Sequence, residues 1–156
     1  MTGIALKDLR QVPVTGQLLG LAKVIWVDRG RYDREALRQA LILLKEGGVL
    51  GIAPEGRMSV TGALERGKTG PVFLAEKAGV PMLPIAITGT ETVLTEWRSL
   101  RRPRLKVVLG EVFRLPEVPS AGSAKKRRQA EADYIMLKLA ELLPPEYRGV
   151  YADSVD

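Results

Sequence analysis

Residues 49–59 read Val-Leu-Gly-Ile-Ala-Pro-Glu-Gly-Arg-Met-Ser, a short apolar run that breaks into a charged, glycine-bearing turn. An apolar run of this length bounded by turn residues predicts a buried strand feeding a loop. Two similar strand ends lie on either side. Upstream, Val24, Ile25, Trp26 and Val27 run into Asp28-Arg29-Gly30; downstream, Gly79-Val80-Pro81 leads into apolar residues 82–87. Helical patterns separate them. Asp33 can cap a helix whose Ala36, Leu37, Ala40, Leu41 and Leu44 share one face, with Gly47 as its left-handed terminator. Pro71 opens a second helix through Phe73, Leu74 and Ala78, ended by Gly79. Residues 6–22 carry helix-compatible spacing interrupted at Pro13, and residues 105–109 read as a further strand closed by Gly110. After a loop containing Pro116, Pro119 and Gly122, a last helix is expected over 124–143, stopped by Pro144-Pro145. Strands alternating with helices predict an α/β fold, a largely parallel sheet flanked by helices, because parallel neighbours need crossover connections. The reading gives one domain over 1–143 and a C-terminal tail over 144–156, loose beyond Tyr147.

Composition narrows the chemistry. The 156 residues include no cysteine and no histidine, so a disulfide framework and a thiolate metal site are excluded, a zinc site would have to rest on carboxylates alone, and no metal site is expected. The two side chains most used as base or nucleophile near neutral pH are also absent. The first residues lack a secretory leader's pattern, and charged or glycine residues interrupt every apolar run, so no transmembrane segment is expected in this chain. Lys plus Arg exceed Asp plus Glu by 24 to 18, which favours anionic partners: nucleic acid, an anionic membrane surface or a phosphorylated small molecule.

In open α/β sheets ligands gather outside the carboxyl ends of strands, which is where Asp28-Arg29 and Glu55-Gly56-Arg57 fall. Two guanidinium forks, Arg29 and Arg57, would match a phosphate, and Gly56 would let main chain approach its oxygens. Glu55 would orient an arginine or bind a hydroxyl, while Lys68 and the amides of the helix near Pro71 would add positive field. Plainer readings stand beside these: a surface ion pair at Asp28 and Arg29, and an ordinary turn at Pro54-Glu55-Gly56. Residues 62–69, Gly-Ala-Leu-Glu-Arg-Gly-Lys-Thr, satisfy a nucleotide-loop pattern formally. No strand is expected before Gly62, so the match reads as coincidence.

Taken in order, Val27-Asp28-Arg29, Pro54-Glu55-Gly56-Arg57-Met58-Ser59 and Val80-Pro81-Met82-Leu83-Pro84-Ile85 resemble the glycerophospholipid acyltransferase family, which includes the lysophosphatidic acid acyltransferases. The resemblance spans about residues 5–110. The usual Pro-Glu-Gly-Thr-Arg-Ser block has its arginine one place earlier here, as in Pro-Glu-Gly-Arg variants. The resemblance implies a glycerolipid acyltransferase-like fold in which Arg29, Glu55, Gly56 and Arg57 hold the acceptor's phosphate and glycerol. It implies that Val80, Pro81, Leu83, Pro84 and Ile85 help build an acyl-chain groove. The reaction it implies moves a fatty acyl group from a coenzyme A or acyl-carrier-protein thioester to the hydroxyl of a 1-acylglycerol 3-phosphate-type acceptor, with no bound cofactor.

The family's general base is the histidine of a His-x-x-x-x-Asp motif, and this sequence has none. Asp28, Asp33 and Glu55 are poor substitutes, since neighbouring arginines lower their proton affinity. No catalytic residue is therefore named. The expectation is that the chain starts inside the family domain, N-terminally incomplete or having given up the chemistry, and is inactive alone. The alternative is a non-catalytic phosphate- or lipid-binding module of the same fold.

Two basic segments remain: Arg98, Arg101, Arg102 and Arg104, and the run Lys125-Lys126-Arg127-Arg128. Each alone reads as a solvated face; together they could dock an anionic membrane surface, with the protein cytoplasmic and peripheral at the inner face. The aromatic residues are scattered and do not form a stacking surface, so no nucleic acid partner is expected. An uncovered apolar sheet edge is expected as well.

Overall fold

The computed structural model describes residues 2–6, 23–27, 34–57, 59, 61–102, 104–116 and 123–155, with main chain alone for residues 2–6, 23–27, 94 and 97. The chain falls into two compact units, Met1–Ala53 with Phe73–Val80, and Pro54–Val72 with Pro81–Asp156.

The first unit is built on three parallel strands: β1 (Thr2–Leu6), β2 (Lys23–Val27) and β3 (Leu50–Gly51), in the order β2-β1-β3. Gly3 lies opposite Val24 on one side and Gly51 on the other. The parallel sheet expected from the sequence is present here. Strand β1 is new, since no element is expected from the sequence before residue 6; beyond Leu6 the helix expected over 6–22 lies outside the described residues. Between β2 and β3, the parallel strands on either side of β1, runs α1 (Arg34–Lys45), a crossover connection within the sheet. Its Ala36 and Ala40 are buried against Leu74, with Leu37, Leu41, Leu44, Leu50 and Phe73 around them. The outer face pairs Arg38 with Glu35, and the hydrogen bonds from Arg38 and then Gln39 pull the Glu35 carboxyl down to about 2. Gly47 sits at φ 80, its N–H donating to the Leu44 carbonyl at 3.2 Å, as expected of a left-handed terminator. Gly79 plays the same part at φ 64 after α2 (Gly70–Ala78). Strand β3 is shorter than expected, and Val49 and Ile52 beside it are exposed.

The second unit adds an antiparallel pair, β4 (Ile85–Thr88) and β5 (Lys106–Leu109). Ala86 is buried, whereas Ile85, Ile87, Val107 and Leu109 are exposed, so one face of this ribbon packs and the other does not. Two main-chain bonds between Met82 and Phe113 extend the pairing. The polar stretch after Thr88 folds as a 3-10 turn (Thr90–Thr92) and a short helix α3 (Val93–Arg98), neither of which is expected from the sequence.

The long helix α4 (Ala124–Ala140) starts at Ser123, whose hydroxyl accepts from the Lys126 N–H, and ends three residues before the expected stop. Its Ala132 and Ile135 pack with Val72, Met82, Phe113 and Leu115; its Met136 and Ala140 pack with Tyr151, Leu64 and Val155. Residues 145–154, expected as a tail loose beyond Tyr147, form 3-10 helices (Pro145–Tyr147 and Gly149–Ser154), and Tyr151 is buried. The Tyr151 hydroxyl has two partners, which explains its order: it donates to Asp133 at 2.9 Å and accepts from the Gly67 N–H at 3.3 Å.

Candidate functional site

The charged turn seen in the sequence is a loop over residues 54–69, closed at its neck by the Lys68 N–H donating to the Pro54 carbonyl at 2.8 Å. Gly56 turns at φ 70, a left-handed conformation that disfavours any side chain. The Lys68 stem lies beside it, 3.6 Å from where a Cβ on Gly56 would stand. Across the loop, the Glu55 carboxylate accepts from the Glu65 N–H at 3.2 Å. The Glu65 carboxylate in turn accepts from Arg57, through Nε at 2.9 Å and through Nη2. Ser59 Oγ donates to the Ala63 carbonyl at 2.6 Å and shapes the far bend.

The loop is anchored from below by main-chain bonds. The Leu64 N–H donates to the Tyr147 carbonyl at 2.9 Å, and the Leu64 carbonyl accepts from the Val150 N–H at 3.2 Å. Gly67 is buried so tightly that a Cβ would stand 2.6 Å from Met136 Cγ. Its N–H is taken by Tyr151 and its carbonyl by Gln129 at 3.2 Å. With its N–H committed inward, Gly67 cannot cradle a phosphate, which agrees with reading the nucleotide-loop match at 62–69 as coincidence.

The electrostatics are asymmetric. Burial pushes the Glu55 carboxyl up from the ordinary carboxylate range, against the lowering effects of the Glu65 N–H it accepts and, last in size, of Arg57, so the lowering expected from a neighbouring arginine does not prevail. Arg57 keeps more than half of its side chain in solvent, and its pairing engages Nε and Nη2 and leaves Nη1 outside. The loop therefore presents a guanidinium of fixed orientation, backed by a carboxylate, beside a lysine.

Among the expected site residues, Glu55, Gly56, Arg57 and Lys68 are brought together on this loop. Arg29 lies outside the described residues, so its meeting with Arg57 is not part of the described geometry. Glu65 was missed: ten residues from Glu55 and eight from Arg57, it carries no local signal and emerges only when the loop closes. Of the expected acyl-groove residues, Val80 belongs to the first unit and Pro81, Leu83, Pro84 and Ile85 to the second. Leu83 and Ile85 are exposed and Pro84 is buried, its carbonyl accepting from the Gly110 N–H at 3.0 Å. Strand-like alternation thus divides Pro84 from Leu83 and Ile85. A second concavity, lined by Arg66, Asp133, Leu137, Val150, Tyr151 and Ser154, has its Asp133 already taken by Tyr151, Gln129 and Arg66. Among the described residues no cluster could hold a metal ion, and no helix is long and apolar enough to cross a membrane.

Several known proteins are similar to this chain. A 1-acyl-sn-glycerol-3-phosphate acyltransferase of Pseudomonas aeruginosa is 28% identical over 145 residues, covering 91% of this chain and 56% of that protein. One from Limnanthes alba is 33% identical over 100 residues, 62% of this chain and 34% of its own length. The crystal structure of the 1-acyl-sn-glycerophosphate (LPA) acyltransferase PlsC of Thermotoga maritima superposes with a TM-score of 0.59 at 25% identity, over 90% of this chain and 56% of that one. The chain spans from about a third to just over half of these relatives. The family model described as Acyltransferase matches residues 1–88, more than half of the 156, and with the loop and fold just described it establishes that this chain belongs to the acyltransferase family.

Proposed function

We propose that this chain is the acceptor-binding part of an acyltransferase of phospholipid synthesis, which moves a fatty acyl group from an acyl thioester to the hydroxyl of a 1-acylglycerol 3-phosphate-type acceptor. The observation that carries the reading is the 54–69 loop, where Arg57 is held out on Glu65 beside Gly56 and Lys68 in a chain of this family. A guanidinium fork binds a phosphate through two parallel charged hydrogen bonds, and an ammonium adds a point charge. Arg29 would join them on the acceptor, and Glu55 would take a glycerol hydroxyl. Val80, Pro81, Leu83, Pro84 and Ile85 would line the acyl chain. The donor would be a coenzyme A or acyl-carrier-protein thioester, used as co-substrate without a bound cofactor.

In acyl transfer the attacking hydroxyl gives up its proton as the new ester bond forms and the thiolate leaves. A well-placed base contributes about 10²- to 10⁴-fold to such a step. This sequence has no histidine to take that proton, so the chain alone binds and orients without turning over. The same absence supports the second reading, a non-catalytic phosphate- or lipid-binding module. Both readings put the protein on an anionic membrane surface, peripheral at the inner face.

The test is selectivity for the phosphate. Titrated in matched micelles, 1-acylglycerol 3-phosphate is expected to bind about tenfold or more tighter than 1-acylglycerol, the scale of one lost charged hydrogen-bond pair. Arg57→Ala is expected to remove that difference. Equal affinity for the two lipids in the unaltered protein contradicts the proposal.

A further inference from the structure

Leu100 lies at φ 54, alone among the described non-glycine residues in having a positive φ, and the residue is 97% exposed. Each property alone is unfavourable. A left-handed leucine is strained, and an exposed one gains nothing from burial. The main chain around it is nonetheless fixed: the Ser99 N–H donates to the Thr95 carbonyl at 3.1 Å, and the Arg101 N–H to the Glu96 carbonyl at 2.8 Å. Leu100 therefore stands where a helix usually ends in glycine, just after α3. The returning limb is pinned as well. Gly89 turns at φ 86, and a Cβ there would fall 2.2 Å from the Arg104 carbonyl oxygen.

Around Leu100 the loop sets out Arg98, Arg101, Arg102 and Arg104, all exposed, with Leu105 half exposed. None of the four guanidiniums pairs with a carboxylate among the described residues. The other basic run differs. In α4, Arg127 and Arg128 are half-buried, and Arg127 faces the buried Glu131 at 3.9 Å.

We propose that residues 98–102, 104 and 105 are a docking wedge for an anionic bilayer, in which Leu100 enters the boundary between headgroups and acyl chains while the surrounding arginines pair with lipid phosphates. This deepens the membrane-facing part of the function proposed above and rests on it. The occupant follows from the pairing of charges with an apolar tip. A nucleic acid would satisfy the arginines but would offer no apolar phase to Leu100 and Leu105, whereas the interfacial layer of a membrane accepts both.

The experiment uses the whole chain and large unilamellar vesicles of phosphatidylglycerol with phosphatidylcholine, against vesicles of phosphatidylcholine alone, in a sedimentation assay. Leu100→Gly separates binding from folding, because glycine relieves the left-handed strain. Its melting temperature is expected to rise by about 2–4 °C while its partition onto anionic vesicles falls about tenfold, the scale of one buried leucine side chain. Arg101→Glu with Arg102→Glu is expected to lower partition about tenfold or more and flatten its salt dependence. Lys125→Glu with Lys126→Glu is expected to change it by less than about fivefold. If the unaltered chain does not prefer anionic vesicles, the membrane reading fails and this surface with it. If it does, but Leu100→Gly binds equally well and the Lys125 and Lys126 variant does not bind, the wedge alone is overturned. Tighter retention on duplex DNA than on anionic vesicles, insensitive to Leu100, also overturns it.

Discussion

Replacing Gly149 by alanine is expected to destabilise the second unit by about 3 kcal/mol, the sum of left-handed strain and an overpacked contact. At φ 53 a Cβ on Gly149 would stand 2.0 Å from the Leu64 carbonyl oxygen and 2.9 Å from the Leu64 carbonyl carbon and nitrogen. Flexible side chains can give way to such an intrusion; this main chain cannot, because the Leu64 N–H and carbonyl are both bonded into the 147–150 turn. The loss therefore reaches the 54–69 loop. Hydrogen exchange at Leu64 and Gly67 should quicken along with the drop in denaturation midpoint. Gly62→Ala provides the comparison: it has a similar φ, 77, but nothing within 4 Å of its Cβ position, so strain alone applies, at about 1 kcal/mol. Equal effects at the two positions would mean that the Gly149 contact is not what holds the loop down.

Met136→Ala is expected to cost about 3 kcal/mol, within the range for removing a buried Leu or Met from a packed core. Met136 is fully buried, packed with Ala140 and Tyr151, and its Cγ and Sδ close over Gly67. The cavity would open directly under the loop, so the Gly67–Tyr151 hydrogen bond should weaken with it. Val150→Ala, at a position 68% exposed, should shift stability by less than about 0.5 kcal/mol. Chemical denaturation of the three proteins side by side measures both.

What could be read in advance followed local rules. Gly47 and Gly79 end helices because the chain must turn left-handed where the apolar periodicity stops, and both do so. The apolar spacing from Ala36 to Leu44 gave α1 its buried face. Other features depend on distant partners. Tyr151 is buried through Asp133 and Gly67, which lie 18 and 84 residues away, and nothing in the residues next to it announces this. Helix α3 has six residues, too few to display a helical period. Residues 82–87 read as a buried strand because their apolar content is high; the two-stranded ribbon covers Ala86 and leaves Ile85 and Ile87 outside. The same logic applies in the site. Glu55, Gly56 and Arg57 are contiguous and were found together, whereas Glu65, which holds Arg57 in place, meets it only after the loop closes at Pro54 and Lys68.

The central claim is that Arg57, held on Glu65, is the phosphate-binding group of the acceptor site. The most direct measurement is an NMR titration of the Arg57 Nε–Hε and Lys68 amide resonances with glycerol 3-phosphate, run in parallel with glycerol. Saturable shifts at both groups with the phosphate ester, none with glycerol, and loss of the Lys68 amide response in Arg57→Lys are the predicted result. Saturable binding of glycerol 3-phosphate that leaves both resonances unmoved, or no binding at all, would contradict it.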